Sequence, residues 1–361
     1  MMLYKLLSAS DRASFSPTVI SLIDRGTLGE RIESLDVPVF SVGMEPGRVT
    51  PGTFYNLYRL AREIKSDVIQ GWMYHGNLSA LFFSLFMPVR APVLWNIRQT
   101  IYNIKNEKLM TAAIIRMGSR LSRFPASILY NSHVSASQHE QLGYDHRKST
   151  VIPNGFDSNL FKPSIEARLK VRGLLGLESE AFLIGLIGRY HLMKDHHTFI
   201  KAAGRLASIR PEIRFVMAGR DVDQNNYNLM GLIESAGLTG KVYMLGERSD
   251  MQEITAALDI ATSSSAWGEG FPNVIGEAMS CGIPCVVTDV GDSARVVGQT
   301  GVVVPPKDYY ALMQAWLRLL EAGSERLAVI GRSARDRVLK EFSLNNVVRK
   351  YEDQYREVIN N

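Results

Sequence analysis

Cysteine is scarce in this chain. The two in 361 residues, Cys281 and Cys285, give no disulfide framework and are not spaced as a Cys-x-x-Cys pair. Apolar residues surround both, which reads as inert buried thiols. No stretch approaches the roughly 20 uncharged apolar residues of a membrane span, and no basic-then-apolar leader opens the sequence. These absences lead us to expect a cytoplasmic protein. There is no Gly-x-Ser-x-Gly elbow to argue for hydrolysis. No interleaved aromatics or nucleic-acid module accompany the basic residues, so nucleic acid is not an expected partner.

What is present is the composition of a soluble globular chain, 46% hydrophobic and 21% charged, with length enough for two domains. The charge is unevenly spread. Residues 1–160 carry 17 Lys and Arg against 12 Asp and Glu, whereas residues 161–361 carry 24 of each. Arg116, Arg120 and Arg123 fall on one face of a helical pattern. They suit a solvated helix face, or a surface meeting anionic lipid or a phosphate-bearing acceptor at the inner side of a membrane.

Short β-rich runs alternate with helical patterns throughout, the signature of an α/β protein with parallel sheets. In the first half, strands are expected at 18–22, 39–42, 68–72, 93–96, 128–130 and 150–152. After the turn Ile152-Pro-Asn-Gly and a linker near 161–164, the second half restarts with strands at 182–187, 214–217, 242–245, 260–262, 285–287 and 302–304. The expected architecture is two Rossmann-like domains facing across a cleft: 1–160, and 161–361 with its last helix packing back on the first. Ligands of such sheets bind at the strands' carboxyl ends.

The most informative run is Trp267-Gly-Glu269-Gly270-Phe271-Pro272-Asn273-Val-Ile-Gly-Glu277. Proline tolerates the first helical turn, so Glu269 lies in a loop and Glu277 on the following helix. Their carboxylates are then about 8–12 Å apart, too far for the roughly 5 Å pair of a retaining glycosidase. That separation suits a hexose at Glu269 and a ribose at Glu277, with a diphosphate between. A second run, Gly185-Leu-Ile-Gly188-Arg189-Tyr-His-Leu-Met-Lys194-Asp195, ends a buried strand and presents two cations before a helix. A helix N-terminus with Arg and Lys suits a diphosphate.

Two metal-like motifs are set aside. Asp221-Val-Asp223 lies in an Asn-rich loop of the second half, and Asp195-His196-His197 has no matching distant ligand cluster. No metal site is expected.

The Glu269/Glu277 pair with Gly188-Arg189-x4-Lys194 resembles the E-x7-E and phosphate-binding motifs of retaining GT-B glycosyltransferases, and most closely those of glycosyltransferase family 4. The resemblance implies transfer of a hexose-type sugar from a UDP- or GDP-linked donor to a hydroxyl acceptor, such as a lipid-linked glycan, in polysaccharide, lipopolysaccharide or glycolipid assembly. It implies no cofactor beyond the nucleotide sugar. Arg189 and Lys194 would hold the leaving diphosphate, and backbone N–H groups around Gly270, Phe271 and Asn273 the hexose. The loop carrying Arg248 would meet the nucleobase; a plain turn there is the other reading. His75, past the strand 68–72, would contact the hexose, unless it is structural. Arg98, at a similar edge, would meet acceptor or donor phosphate. Relatives begin with a strand and a glycine-rich loop. Here the chain opens on Met1-Met-Leu-Tyr-Lys-Leu-Leu7, which reads as mid-helix, so that strand is expected to be missing, with a gap beside 68–72 and low activity. Two other readings stay open: a weakly active or inactive nucleotide-sugar binder, and a non-hydrolysing nucleotide-sugar epimerase.

Overall fold

Runs of Val, Ile and Leu flanked by amphipathic helices become parallel strands covered by helices in the computed structural model, which describes residues 2–45, 48, 50–178 and 181–360. The chain divides into two units, one of Met1–Gly155 with Leu344–Asn361 and one of Phe156–Ser343. The twelve expected strands all form, each within two residues of its expected ends.

In the first unit the strands are β1 (Val19–Ser21), β2 (Val39–Ser41), β3 (Ile69–Trp72), β4 (Val93–Ile97), β5 (Ser127–Tyr130) and β6 (Ser149–Val151). They form two sheets rather than one. β1 pairs in parallel with β2, and β3–β4–β5–β6 make a four-stranded parallel sheet in which β3 is an edge. The same layers serve both sheets. Leu7 of the helix Met2–Ala9 packs with Ile32, Val37 and Val39 beside β1–β2, while its neighbour Leu6 packs with Leu94, Leu129 and Tyr351 beside the larger sheet. On another layer Ile20, Leu22 and Ile69 share a cluster with Leu57, Leu60 and Phe83. β1 and β3 are thus edge strands enclosed by common apolar layers. The helix Leu344–Asn360 closes this unit through Val347, Val348 and Tyr351.

The second unit holds β7 (Leu183–Ile187), β8 (Arg214–Ala218), β9 (Val242–Met244), β10 (Ile260–Ser263), β11 (Cys285–Thr288) and β12 (Gly301–Val304). Its sheet order is β12-β11-β10-β7-β8-β9, with every pairing parallel. From β7 the chain winds outward through β8 and β9, then returns to the other side of β7 with β10. The winding direction therefore reverses between β7 and β10. At such a switch point two successive loops diverge at the carboxyl ends and leave a crevice for a ligand. One face of the sheet packs Phe199, Phe215 and Trp316; the other packs Phe156, Phe271 and Phe342.

Candidate functional site

The loops that leave β7 and β10 carry the two sequence motifs, so the switch point and the chemistry coincide. β7 ends at Ile187 and is followed by Gly188, Arg189 and a 3-10 turn at Leu192–Lys194. Asp195 then takes a left-handed conformation (φ 49°) and caps the helix His196–Ile209, its carboxylate accepting from Thr198 N at 3.1 Å and Thr198 Oγ1 at 2.7 Å. Asp195 is thereby a helix cap. The Lys194 stem runs across Gly188, where a Cβ would come within 3.5 Å of Lys194 Cδ. Arg189 is exposed and forms no ion pair or side-chain hydrogen bond among the described residues.

Across the crevice, Glu269 is 8% exposed. Lys194 Nζ donates to Glu269 Oε1, and Ser265 Oγ donates to the same oxygen at 2.7 Å. The motif cation and the motif acid, assigned separately to diphosphate and hexose, are therefore in direct contact. Pro272 precedes the helix Asn273–Ser280 as its cap residue, one position earlier than its expected place in the first turn. Glu277 sits on that helix, half-buried. Phe271 turns its ring inward, stacked on Phe156 with centroids 5.9 Å apart and edge-on to Phe342 at 5.6 Å. The loop from Gly270 to Asn273 is thus anchored by an aromatic plug, and Phe271 can serve a ligand only through its backbone.

Backbone contacts knit these loops together. Ala266 N donates to Met193 O at 2.8 Å, joining the β10 loop to the β7 loop. Asp292 N donates to Gly270 O at 2.9 Å, and Gly219 N to Gly246 O at 2.8 Å. At Gly291 (φ 62°) a Cβ would come within 2.1 Å of Glu269 O, so only glycine fits beneath the motif.

The remaining expected residues lie elsewhere. Arg248, on the loop after β9, grips Asp250 in a bidentate pair (Nε–Oδ1 2.9 Å, Nη2–Oδ2 2.6 Å), which holds the guanidinium above its usual range. His75 and Arg98 belong to the first unit. His75 is an exposed residue in the first turn of the helix Met73–Ser84 rather than in a loop. Arg98 is held by protein partners: Nη1 donates to Tyr351 Oη at 2.9 Å, Nη2 to Asn154 Oδ1, and its guanidinium lies 5.6 Å from the Trp72 ring centroid. Of the set-aside metal motifs, Asp223 accepts from Asn225 N at 2.8 Å in a local turn. His196 is buried against Tyr190, and desolvation pushes its imidazole down to about 4.

Four residues of this constellation were not singled out from sequence: Ser264, Ser265, Thr288 and Gly291. Ser264 Oγ reaches Lys194 O at 2.9 Å and Asp195 O at 3.1 Å, and Thr288 Oγ1 donates to Ser265 O at 2.7 Å. Their signal is the hydroxyl run Thr262-Ser-Ser-Ser265, where a buried strand would otherwise end in apolar residues. A cavity of 930 Å³ lies at the opposite, amino-terminal edge of this sheet. Of its three arginines, Arg168 and Arg210 are paired with Asp259 and Glu212, and Arg214 donates to the carbonyls of Pro211 and Ile213, which marks that edge as structural.

Two parallel α/β units, one with a polar switch-point crevice, define the GT-B class of two-domain glycosyltransferase folds. The domain content agrees: residues 1–160 match the family described as Glycosyltransferase Family 4, and residues 181–322 match Glycosyl transferases group 1. Each half of the chain thus matches a domain family of glycosyltransferases. It is 28% identical over 228 residues (62% of this chain, 57% of the relative) to the UDP-Gal:alpha-D-GlcNAc-diphosphoundecaprenol alpha-1,3-galactosyltransferase of Escherichia coli. It is 27% identical to the lipopolysaccharide core biosynthesis mannosyltransferase LpsB of Rhizobium meliloti, over 56% of this chain and 58% of the relative. The chain thus spans little more than half the length of these curated relatives. Anabaena Alr3699/HepE in complex with UDP shares the fold, with TM-score 0.85, 23% identity, and coverage of 99% of this chain and 95% of that one.

Proposed function

We propose that this protein transfers a hexose-type sugar from a nucleoside diphosphate, most readily UDP, to a hydroxyl acceptor with retention of anomeric configuration. The observation that carries the reading is the meeting of Lys194 and Glu269 at the switch point, with Arg189 on the same loop as Lys194. UDP is favoured because the E. coli relative is named for UDP-Gal and the Anabaena neighbour holds UDP. In this mechanism the anomeric carbon–phosphate oxygen bond breaks while the acceptor oxygen attacks on the same face, and the acceptor proton passes to the departing phosphate. Arg189 and Lys194 stabilise the charge developing on the diphosphate. Glu269 and backbone N–H groups of Gly270 and Asn273 hold the hexose, and Glu277 the ribose. Catalysis is then chiefly positioning and electrostatics.

The acceptor is a lipid-linked glycan in this reading, as in the printed name of the E. coli relative. One surface supports membrane contact. The helix Leu109–Leu121 contains no acidic residue and exposes Leu109 (90%), Met110 (67%) and Met117, with Phe124 just beyond. Arg116, Arg120 and Arg123 flank these side chains, and among the described residues none of the three forms an ion pair. Apolar side chains interleaved with unpaired cations bind the interface of an anionic bilayer. Flotation with vesicles tests this: binding with phosphatidylglycerol that is lost in R116E/R120E/R123E is expected, and equal binding to neutral vesicles would refute it.

A second reading, a nucleotide-sugar binder with little turnover, is favoured by the divided sheet of the first unit, whose β1 and β3 edges have no further strand partner among the described residues. A melting-temperature panel of UDP-, GDP- and ADP-sugars, followed by NMR of the anomeric product, separates the two: both predict a thermal shift, and only the transferase yields product.

A further inference from the structure

We propose that Ser265 is a positioning residue for sugar recognition, fixing Glu269 with one carboxylate oxygen reserved for the ligand. This rests on the donor-site reading above. Oε1 of Glu269 accepts from both Ser265 Oγ and Lys194 Nζ, while Oε2 accepts no hydrogen bond from the described protein. A carboxylate held on one oxygen by two donors is fixed in orientation, which leaves Oε2 as the acceptor for a sugar hydroxyl. Ser265 is itself immobile. It is 1% exposed, and Thr288 Oγ1, from the end of the neighbouring strand β11, donates to its carbonyl oxygen.

The adjacent Ser264 braces the other half of the ion pair. Fully buried, it donates to the carbonyl oxygens of Lys194 and Asp195 and holds the left-handed turn that launches the Lys194 side chain. Lys194 Nζ spends one of its three N–H bonds on Glu269 and keeps two for diphosphate oxygens. Consecutive serines at the end of β10 therefore divide the labour: Ser265 sets the acid that reads the sugar, and Ser264 sets the cation that reads the phosphate.

The test is calorimetric titration of the full chain with UDP, GDP, UDP-glucose, UDP-galactose and GDP-mannose, each on wild type, Ser265→Ala, Ser265→Thr and Ser264→Ala. In Ser265→Ala the affinity for the bound nucleotide sugar is expected to fall about tenfold or more, while that for its free nucleotide stays within about twofold. Ser265→Thr, which keeps the hydroxyl, is expected to restore most of the loss, and Ser264→Ala to weaken the free nucleotide as well. A merely structural role would lower nucleotide and nucleotide sugar together, so an unchanged ratio in Ser265→Ala overturns the assignment. So does wild-type affinity for the nucleotide sugar in that variant. If the wild-type chain binds none of the five compounds, the donor-site reading itself is refuted.

Discussion

Gly291 lies directly under the carbonyl of Glu269, so close that a methyl group there would come within 2.1 Å of the oxygen. Its φ of 62° adds a conformational demand that an L-side chain meets poorly. The motif acid is therefore held from below by an absence of side chain, on a loop that follows β11. Gly291→Ala is expected to cost roughly 1–3 kcal/mol of second-unit stability and to displace Glu269. Urea denaturation and nucleotide-sugar titration of the same variant check both effects; full retention of stability and binding would remove Gly291 from the account.

The two glutamates are expected to separate by ligand. Glu277→Gln should weaken free nucleoside diphosphate through the ribose. Glu269→Gln should spare the free nucleotide and weaken the intact nucleotide sugar. Titrating both variants with UDP and with UDP-galactose tests the division, and matching losses on both ligands would count against it.

Acid should destabilise the fold. His139 and His196 are both buried, and desolvation pushes each imidazole from 6.5 down to about 4. A base whose folded pKa is depressed binds fewer protons in the native state, so stability is full above about pH 6.5 and falls as pH drops toward 4. Each imidazole contributes on the order of 3 kcal/mol across that window. Urea midpoints at pH 7.5, 5.5 and 4.5 check the slope, and His139→Gln should flatten it; a midpoint independent of pH would contradict the assignment. His139 Nδ1 donates to Ser135 O at 2.7 Å and Nε2 of the neutral ring accepts from Tyr74 Oη at 2.9 Å, so the variant needs its own pH 7.5 reference.

β3 is an edge strand and β7 is paired on both sides. Amide hydrogen exchange is expected to be faster at Ile69–Trp72 than at Leu183–Ile187. Equal protection would mean that a further strand or an equivalent cover closes the β3 edge in solution.

Much of this was legible from sequence, for a physical reason. Buried parallel strands read as short runs of Val, Ile and Leu, which is why Leu183–Ile187 and Cys285–Thr288 were marked with little ambiguity. The two motifs were legible because each is local: Gly188 to Lys194 on one loop, Glu269 to Glu277 on one loop and helix. What sequence could not give is contact between distant segments. Nothing in the spacing of residues 194 and 269 announces their ion pair, and Arg98 gave no sign of Tyr351, 253 positions away. Ser264 and Ser265 were not singled out, because their partners lie about 70 residues upstream and four residues downstream in a folded loop. His75 was set in a loop because the helix after β3 begins directly at Met73, with a left-handed residue (φ 63°) replacing any spacer.

The central claim is that the switch-point cations bind a nucleoside diphosphate, and calorimetric titration of UDP into wild type, Arg189→Ala and Lys194→Ala tests it most directly. Arg189 is exposed and forms no ion pair among the described residues, so its loss should leave the melting temperature unchanged. UDP is expected to bind the wild-type chain, and each substitution to weaken that binding by roughly 1.5–3 kcal/mol, the worth of a charge-assisted hydrogen bond. UDP affinity unchanged in both variants would contradict it.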